Sequence, residues 1–410
     1  MTVLLTESDK AEIVDRFIRY CKIDTQSDEN VEKCPSTEKQ FDLAKLLASE
    51  LEQLGLKAEV DAHCFVYATL EGNAPSEGEL GLLAHMDVSP EAPSANVSPV
   101  IRKNITGGDI VLCEDIVIPG SQLEFYKGQD IITTDGKTLL GADDKAGIAA
   151  ILQTLTVLVR EGDKIKHPTL KICFSPDEEI GMGISSIDLS KFKPKCAYTI
   201  DAGRIGEIEC ETFNAMACTV KFVGVEVHPG SAFDILVSAI RLAAEFVEQL
   251  PKDQAPETTK DREGYIHPID IAGGTGEATV KLILRDFDET GLAKREQLVQ
   301  GIVDGMQKKH PKAKITATFK HQYKNMFTGL KDKPELIDRP VEAAKKLGIT
   351  PIQHPIRGGT DGAQLTFMGI PTPNLFAGGE NFHSKREFLP IPSLIKSAEL
   401  ILNMLPSFTQ

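Results

Sequence analysis

The sequence predicts an α/β core interrupted by an inserted α+β domain of the ferredoxin-like kind, and three observations carry that prediction. The chain has 410 residues, more than one hydrophobic core usually supports, so two domains are expected. Around residues 81–84, 144–162 and 170–175 a strand, a long loop, a helix and a second strand follow one another, the order of an α/β unit with its functional loops at one strand edge. Between 213 and 325 the pattern becomes β-α-β-β-α-β, the order of a ferredoxin-like sandwich. The expected organisation is therefore a first domain from 1–212 and 326–410, and an inserted domain from 213–325.

Each element has its own signal. Residues 8–23 place Ile13, Val14, Phe17, Ile18 and Cys21 at helical spacing, ahead of a polar loop from Asp24 to Pro35. Thr37-x-x-Gln40 has the form of a capping box; Phe41, Ala44, Leu47, Leu51 and Leu54 share one face, and Gly55 supplies a stop. Strands are expected over 64–70 and 81–84. The Pro-, Gly- and acid-rich stretch from Ser89 to Leu139 reads as a long ordered loop carrying a hairpin. A helix from Asp144 runs through Ile148, Ile151, Leu155 and Leu158 to Gly162, and the strand 170–175 follows. In the insertion, strands are expected over 215–223, twice within 263–285 and over 314–320, with helices over 232–249 and 289–309.

Composition narrows the function. A formal net charge of -15 argues against non-specific nucleic-acid binding, which needs clustered Lys and Arg. No segment approaches ~18 unbroken apolar residues, so no membrane span is expected, and the early acidic residues are unlike a signal peptide; a cytoplasmic protein is expected. The eight cysteines show no Cys-x-x-Cys spacing and read as buried thiols rather than disulfides or a thiolate metal site.

The chemistry gathers at the ends of the apolar runs. Glu178 and Glu179 close the strand Leu170-Lys-Ile-Cys-Phe-Ser, where one carboxylate can accept a proton and the other can bind a metal. His85, Asp143, Glu179, Asp201 and His383 form the donor set of a two-metal hydrolytic centre, since two divalent ions ~3.5–4 Å apart need imidazole and carboxylate donors with one carboxylate shared. Asp87 projects to the same side of an extended segment as His85 and can orient its imidazole. Taken singly, these residues have plainer readings: a surface His-x-Asp pair, a solvated Glu-Glu turn, and Asp144 as a helix cap.

The segments Leu140-Gly-Ala-Asp-Asp-Lys-Ala-Gly147, Ser175-Pro-Asp-Glu-Glu-Ile-Gly181 and Ala197-Tyr-Thr-Ile-Asp201 occur in order, with Asp24-Thr-Gln-Ser27 and Thr133-Thr-Asp-Gly-Lys-Thr-Leu-Leu140 before them and Val227-His-Pro-Gly230, Arg357-Gly-Gly-Thr-Asp-Gly-Ala363 and Asn381-Phe-His383 after them. In these motifs the chain resembles the peptidase T family of tripeptide aminopeptidases, among the co-catalytic zinc exopeptidases. The resemblance spans nearly the whole chain. It implies a zinc-exopeptidase-type catalytic domain with a mixed central sheet flanked by helices, and an inserted lid or dimerisation domain. It also implies two zinc ions, with cobalt or manganese as substitutes. Asp143 would bridge them, with His85 and Asp201 on one ion and Glu179 and His383 on the other. Asp87 and Glu178 become the acids that are not ligands, and the Asp143–Asp144 peptide bond is expected to be cis.

The implied activity is removal of the N-terminal residue from a tripeptide by a metal-bridged water, with Glu178 as general base. His228 would donate to the oxyanion from the inserted domain, and Arg357 and Arg285 would bind the substrate's C-terminal carboxylate. Groups on both domains imply closure of the insertion over the site, and the insertion offers sheet edges for a homodimer. A dipeptidase or an N-acyl amino acid deacylase of the same clan is the alternative. Two departures from the family pattern, Ser384 after His383 and the Ala232-Phe-Asp-Ile stretch after His-Pro-Gly, bear on substrate range and leave every expected metal ligand in place.

Overall fold

The computed structural model describes residues 2–410, which form two compact units. One runs to Cys210 and includes Gly329–His354 and Thr360–Gln410; the other comprises Glu211–Thr328 with Pro355–Gly359. The second unit thus takes a short segment that the sequence places in the first domain. The reason is hydrogen bonding: the Ile356 N–H donates to the Glu211 carbonyl at 2.8 Å, and Thr212 and Ile356 form a parallel bridge.

The first unit is built on a seven-stranded mixed sheet in the order Ala58–Val60, Val66–Leu70, Leu170–Ser175, Leu80–His85, Cys196–Ala202, Asn374–Phe376, Ile208–Glu209. Its four middle strands are parallel and the outer ones antiparallel. Leu80–His85 is buried at every position, as a strand covered on both faces must be, which is why it reads as an unbroken apolar run. The helix Ala142–Glu161 packs on the strands Leu80–His85 and Cys196–Ala202. It comes so close that a Cβ at Gly147 would stand 1.9 Å from the Ile200 carbonyl oxygen.

Local signals explain most helix starts. Glu7–Cys21 opens with a reciprocal capping box between Thr6 and Asp9, which satisfies two otherwise orphaned groups. The helix Gln40–Gln53 does not use the expected Thr37–Gln40 box: its N-cap is Lys39, with no side-chain cap bond. Those two side chains are drawn elsewhere. Thr37 Oγ1 donates to the Gln26 carbonyl at 2.8 Å, and Gln40 Nε2 donates to the buried Asp177 Oδ1 at 2.7 Å. The stretch from Ser89 to Leu139 holds the expected hairpin, Ile110–Cys113 with Ile116–Ile118. It also supplies two strands, Val100–Arg102 and Ile131–Thr133, to a small sheet with Phe388–Pro390.

The second unit has the strands Asn214–Val223, Tyr265–Gly273, Glu277–Asp286 and Lys314–Tyr323 and the helices Ala239–Gln249 and Glu289–Lys309. The sheet order, Tyr265–Gly273, Glu277–Asp286, Asn214–Val223, Lys314–Tyr323, is antiparallel throughout, and the helices cover a core that includes Val220, Phe222, Phe246, Leu282 and Val299. This is the ferredoxin-like arrangement. Its first helix starts at Ala239 rather than near 232, because Val237 pairs with Val225 and so is held extended. Cys21, Cys64, Cys173, Cys196 and Cys218 are buried free thiols. Among the described residues no helix is long and apolar enough to cross a membrane.

Candidate metal centre

Three neighbouring strands of the central sheet end at one place. His85 is the last residue of Leu80–His85, Ser175 pairs with it at the end of Leu170–Ser175, and Asp201 is the penultimate residue of Cys196–Ala202. Groups at the carboxyl ends of parallel strands face the crevice where open α/β sheets bind ligands. Asp143 arrives from the start of the helix Ala142–Glu161, joined to Asp144 by a cis peptide bond as expected. His383 arrives from a loop in which Asn381 and His383 both have left-handed backbone, φ 58° and 59°.

Five side chains converge. Asp143 turns one carboxylate oxygen to each histidine, Oδ1 lying 2.8 Å from His85 Nε2 and Oδ2 3.3 Å from His383 Nε2. Asp201 Oδ1 is 3.4 Å from His85 Nε2, and Glu179 Oε2 is 2.7 Å from His383 Nε2. The donor set fits a pair of divalent cations. Asp143 spans the two imidazoles, each imidazole has a further carboxylate beside it, and Glu179 Oε1 is buried with no hydrogen-bond partner, a donor atom left for a cation. Asp144 lies in the same cluster, but its carboxylate is committed to backbone, accepting the Gly147 N–H at 3.1 Å and the His85 N–H at 3.3 Å.

Asp87 does more than orient His85. Its Oδ1 is 3.3 Å from His85 Nδ1, and its two oxygens also accept the backbone N–H groups of Glu178 at 2.9 Å and Glu179 at 3.2 Å. One buried residue therefore holds the His85 ring, whose Nδ1 also lies 3.1 Å from the Asp87 carbonyl oxygen, together with the backbone of the glutamate pair. The turn is fixed from behind as well. Asp177, at φ 53°, accepts from the Ser36 N–H and Ser36 Oγ, both at 2.6 Å, and from Gln40 Nε2. The Glu178 carboxyl makes no hydrogen bond among the described residues.

The electrostatics reflect crowded acids. Burial, together with the Asp201 charge, pushes the Glu178 carboxyl well above its usual range. Burial and then the Asp143 charge raise Glu179 to about 8, and burial raises Asp201 to about 6. The histidines move the other way from what burial would do. His383 is lifted to about 11 by its hydrogen bonds to Asp143 and Glu179 against the burial cost, and His85 is raised by Asp201 and Asp143. Asp143, although buried, is held below the carboxylate range by the two histidines. This excess of negative charge is what bound cations would balance.

The other expected site residues lie in the second unit. His228 is exposed, and its Nδ1 accepts the Gly230 N–H at 3.1 Å, which leaves the proton of the neutral ring on Nε2. Arg285 is only 9% exposed; its guanidinium donates to the carbonyls of Leu284 at 3.0 Å and Met216 at 3.4 Å and stacks over Tyr323. Arg357 donates to the carbonyls of Asp261 and Glu263 at 2.9 and 2.8 Å and to Thr259 Oγ1, and faces the rings of Phe213 and Tyr265. Both arginines are engaged within their own unit, Arg285 through Nη1 and Arg357 through Nη1 and Nη2. Ser384, in the first unit, closes the turn that follows His383. Its Oγ donates to the Asn381 carbonyl at 2.7 Å and accepts the Arg386 N–H at 3.2 Å.

Two buried acids near the centre escape a reading of the sequence. Asp361 accepts from Ser175 Oγ at 2.7 Å, its Oδ1 has no partner, and burial raises it to about 7. Glu387, 1% exposed, accepts four backbone N–H groups from the loop that carries Asp143. In the sequence Asp361 looks like part of a glycine turn, and Glu387 like the end of a surface charge run. The one signal that could point to Glu387 is the apolar Phe388-Leu389 directly after it.

Known proteins resemble the chain along nearly its whole length. Residues 132–407 match the peptidase family M20/M25/M40. The chain is 43% identical over 408 residues to Peptidase T of Geobacillus sp. (strain WCH70), covering 98% of this chain and 99% of that one. It is 43% identical over 401 residues to Peptidase T of Clostridium perfringens (strain 13 / Type A), covering 97% and 98%. The fold is that of aminopeptidase PepT from Bacillus cereus, with a TM-score of 0.75 at 22% identity over 97% of this chain and 98% of the other. It is also that of a dinuclear metal binding peptidase of the M20 family from Bacillus subtilis, with a TM-score of 0.67 at 13% identity over 98% of both chains. By these likenesses the chain belongs to the peptidase T family, within peptidase family M20/M25/M40.

Proposed function

We propose that this protein is a metallo-aminopeptidase that removes the N-terminal residue from tripeptides. The observation that carries the reading is Asp143 turning one oxygen toward each of His85 and His383. Relatives named Peptidase T and a neighbour of the same fold described as a tripeptidase from Staphylococcus aureus, at a TM-score of 0.76 and 21% identity, support the substrate class. His85 and Asp201 would hold one divalent cation, Glu179 and His383 the other, with Asp143 shared; zinc suits these donors, and cobalt or manganese can replace it. When bound, the cations supply Lewis acidity, making a water acidic and polarising the peptide carbonyl.

The chain's own groups do the rest. Glu178 takes the proton from the attacking water as the new C–O bond forms, then delivers it to the departing nitrogen as the C–N bond breaks. His228 Nε2–H serves as the oxyanion donor. Arg357, the more exposed arginine, takes the C-terminal carboxylate in exchange for its carbonyl partners. Arg285 backs that surface from within its sheet. A panel containing a tripeptide, its N-acetylated form and a dipeptide, with metal analysis of the same sample, tests the reading. Cleavage of the free tripeptide with about two zinc ions per chain is expected. Preference for the blocked peptide or the dipeptide would assign the chain to the deacylase or dipeptidase reading instead.

A further inference from the structure

Glu387 makes the densest set of side-chain hydrogen bonds around the centre, and no step of the proposed reaction uses it. Its Oε2 accepts the N–H groups of Leu140 at 2.6 Å and Gly141 at 2.8 Å. Its Oε1 accepts those of Ala142 at 2.6 Å and Asp143 at 3.1 Å. Four consecutive N–H groups converge on one carboxylate because Gly141 has left-handed backbone, φ 80°, which curls the segment into an anion-binding nest. Asp143 and Asp144 have non-helical backbone and the regular helix begins beyond them, so the four N–H groups belong to the nest that precedes it. Bonds from N–H groups to an ionised carboxylate are stronger than neutral ones.

The placement of this carboxylate in the chain gives it a second consequence. Glu387 lies four residues after His383, and the turn between them is closed by the Glu387 N–H on the Ser384 carbonyl at 3.2 Å and by Ser384 Oγ on the Asn381 carbonyl. The backbone of Glu387 thus belongs to the His383 turn, while its side chain grips the backbone of Asp143. These two ligands meet, with His383 Nε2 3.3 Å from Asp143 Oδ2. We propose that Glu387 is a positioning residue for the metal centre: it ties the His383 turn to the Asp143 loop and so sets the separation of the bridging carboxylate from the histidine. The proposal rests on the reading of Asp143 and His383 as metal ligands.

Glu387→Gln and Glu387→Asp test it, each compared with the native chain loaded with zinc. The amide offers one acceptor oxygen and turns N–H against N–H at the other end; the aspartate keeps the charge and withdraws it by one methylene. The readouts are the chelator concentration that strips half the zinc, and the unfolding temperature with and without zinc. Both variants should lose zinc at about 10–100-fold lower chelator, the range for partners that orient ligands. The rise in unfolding temperature that zinc gives should also shrink. Equal drops in unfolding temperature with and without zinc, at native zinc retention, would make Glu387 a backbone anchor only and overturn the proposal. So would failure of both variants to fold with or without zinc, since Glu387 would then be a scaffold residue. A native chain that binds no zinc would instead strike down the metal reading itself.

Discussion

The Asp87 carboxylate accepts the backbone N–H of Glu178 at 2.9 Å through Oδ1. With the Glu179 N–H donating to Oδ2, it fixes the backbone of the two neighbouring glutamates, whose side chains then part. Glu179 is turned to His383, whereas the Glu178 carboxyl is left without a hydrogen bond among the described residues. Burial, with the Asp201 charge, raises that carboxyl well above the ordinary carboxylate range, and the positive charge of bound cations would lower it again toward the ionised form a base needs.

Replacing Glu178 by Gln should therefore leave the metal content of the chain unchanged and cut turnover by about 10²–10⁴-fold, the usual share of general acid–base catalysis. Steady-state kinetics and metal analysis on one preparation check both halves. Turnover near native would remove Glu178 as the base; a lost metal would make it a ligand.

Asp87→Asn should disturb two of the proposed ligands, His85 and Glu179, at once. Asn has one acceptor oxygen, so the N–H of either Glu178 or Glu179 would face an NH₂ group, and the hold on His85 Nδ1 would weaken. Zinc should be released about 10–100-fold more easily, with a parallel fall in turnover. Competition with a chelator reads this directly, and native retention would show that the strand ends alone hold the ligands.

How much of this is legible in the sequence follows from where each group sits. His85, Asp201 and the Glu178-Glu179 pair can be found because each ends an apolar run, and strand ends in an α/β sheet are where ligands bind. The second unit is legible because its strands alternate and its helices have one apolar face. Thr37 and Gln40 mislead because a capping box is a local pattern, and the buried Asp177, 137 residues away from Gln40, outcompetes it. Glu387, marked only by the apolar pair after it, and Asp361, present in a motif but with no role apparent, are hard to read because their partners are backbone N–H groups and a serine hydroxyl from distant segments. Arg285 and Arg357 show the same limit from the other side, because a cation on a strand end or glycine turn reads alike whether it binds a substrate or its own carbonyls.

His228→Ala should lower kcat by about 10²–10³-fold with KM little changed, as expected when a donor to a developing oxyanion is lost. The Gly230 N–H on Nδ1 fixes the tautomer that presents Nε2–H, so Gly230→Pro, which removes that donor, should reproduce part of the loss. A rise in KM with kcat intact would place His228 in ground-state binding instead.

Acid stability offers a check far from the metal centre. Asp9, in the first helix, is 1% exposed and accepts from Arg160 at 2.6 and 3.0 Å and from the Thr6 N–H and hydroxyl. Burial alone would raise its pKa, but the hydrogen bonds from Arg160 and Thr6 outweigh it and bring the value from 3.8 down to about 2. A depressed carboxylate binds its proton more readily in the unfolded chain, so its ionisation adds stability that is fully present above the unfolded pKa and is lost as pH falls through the folded one. The affected window runs from about pH 4 to about pH 2. Asp9→Asn should lower stability at neutral pH and flatten the dependence on pH within that window, measured by urea unfolding at a series of pH values. If the variant and the native chain lose stability with the same slope there, the ionisation of Asp9 is not what the Arg160 pair contributes.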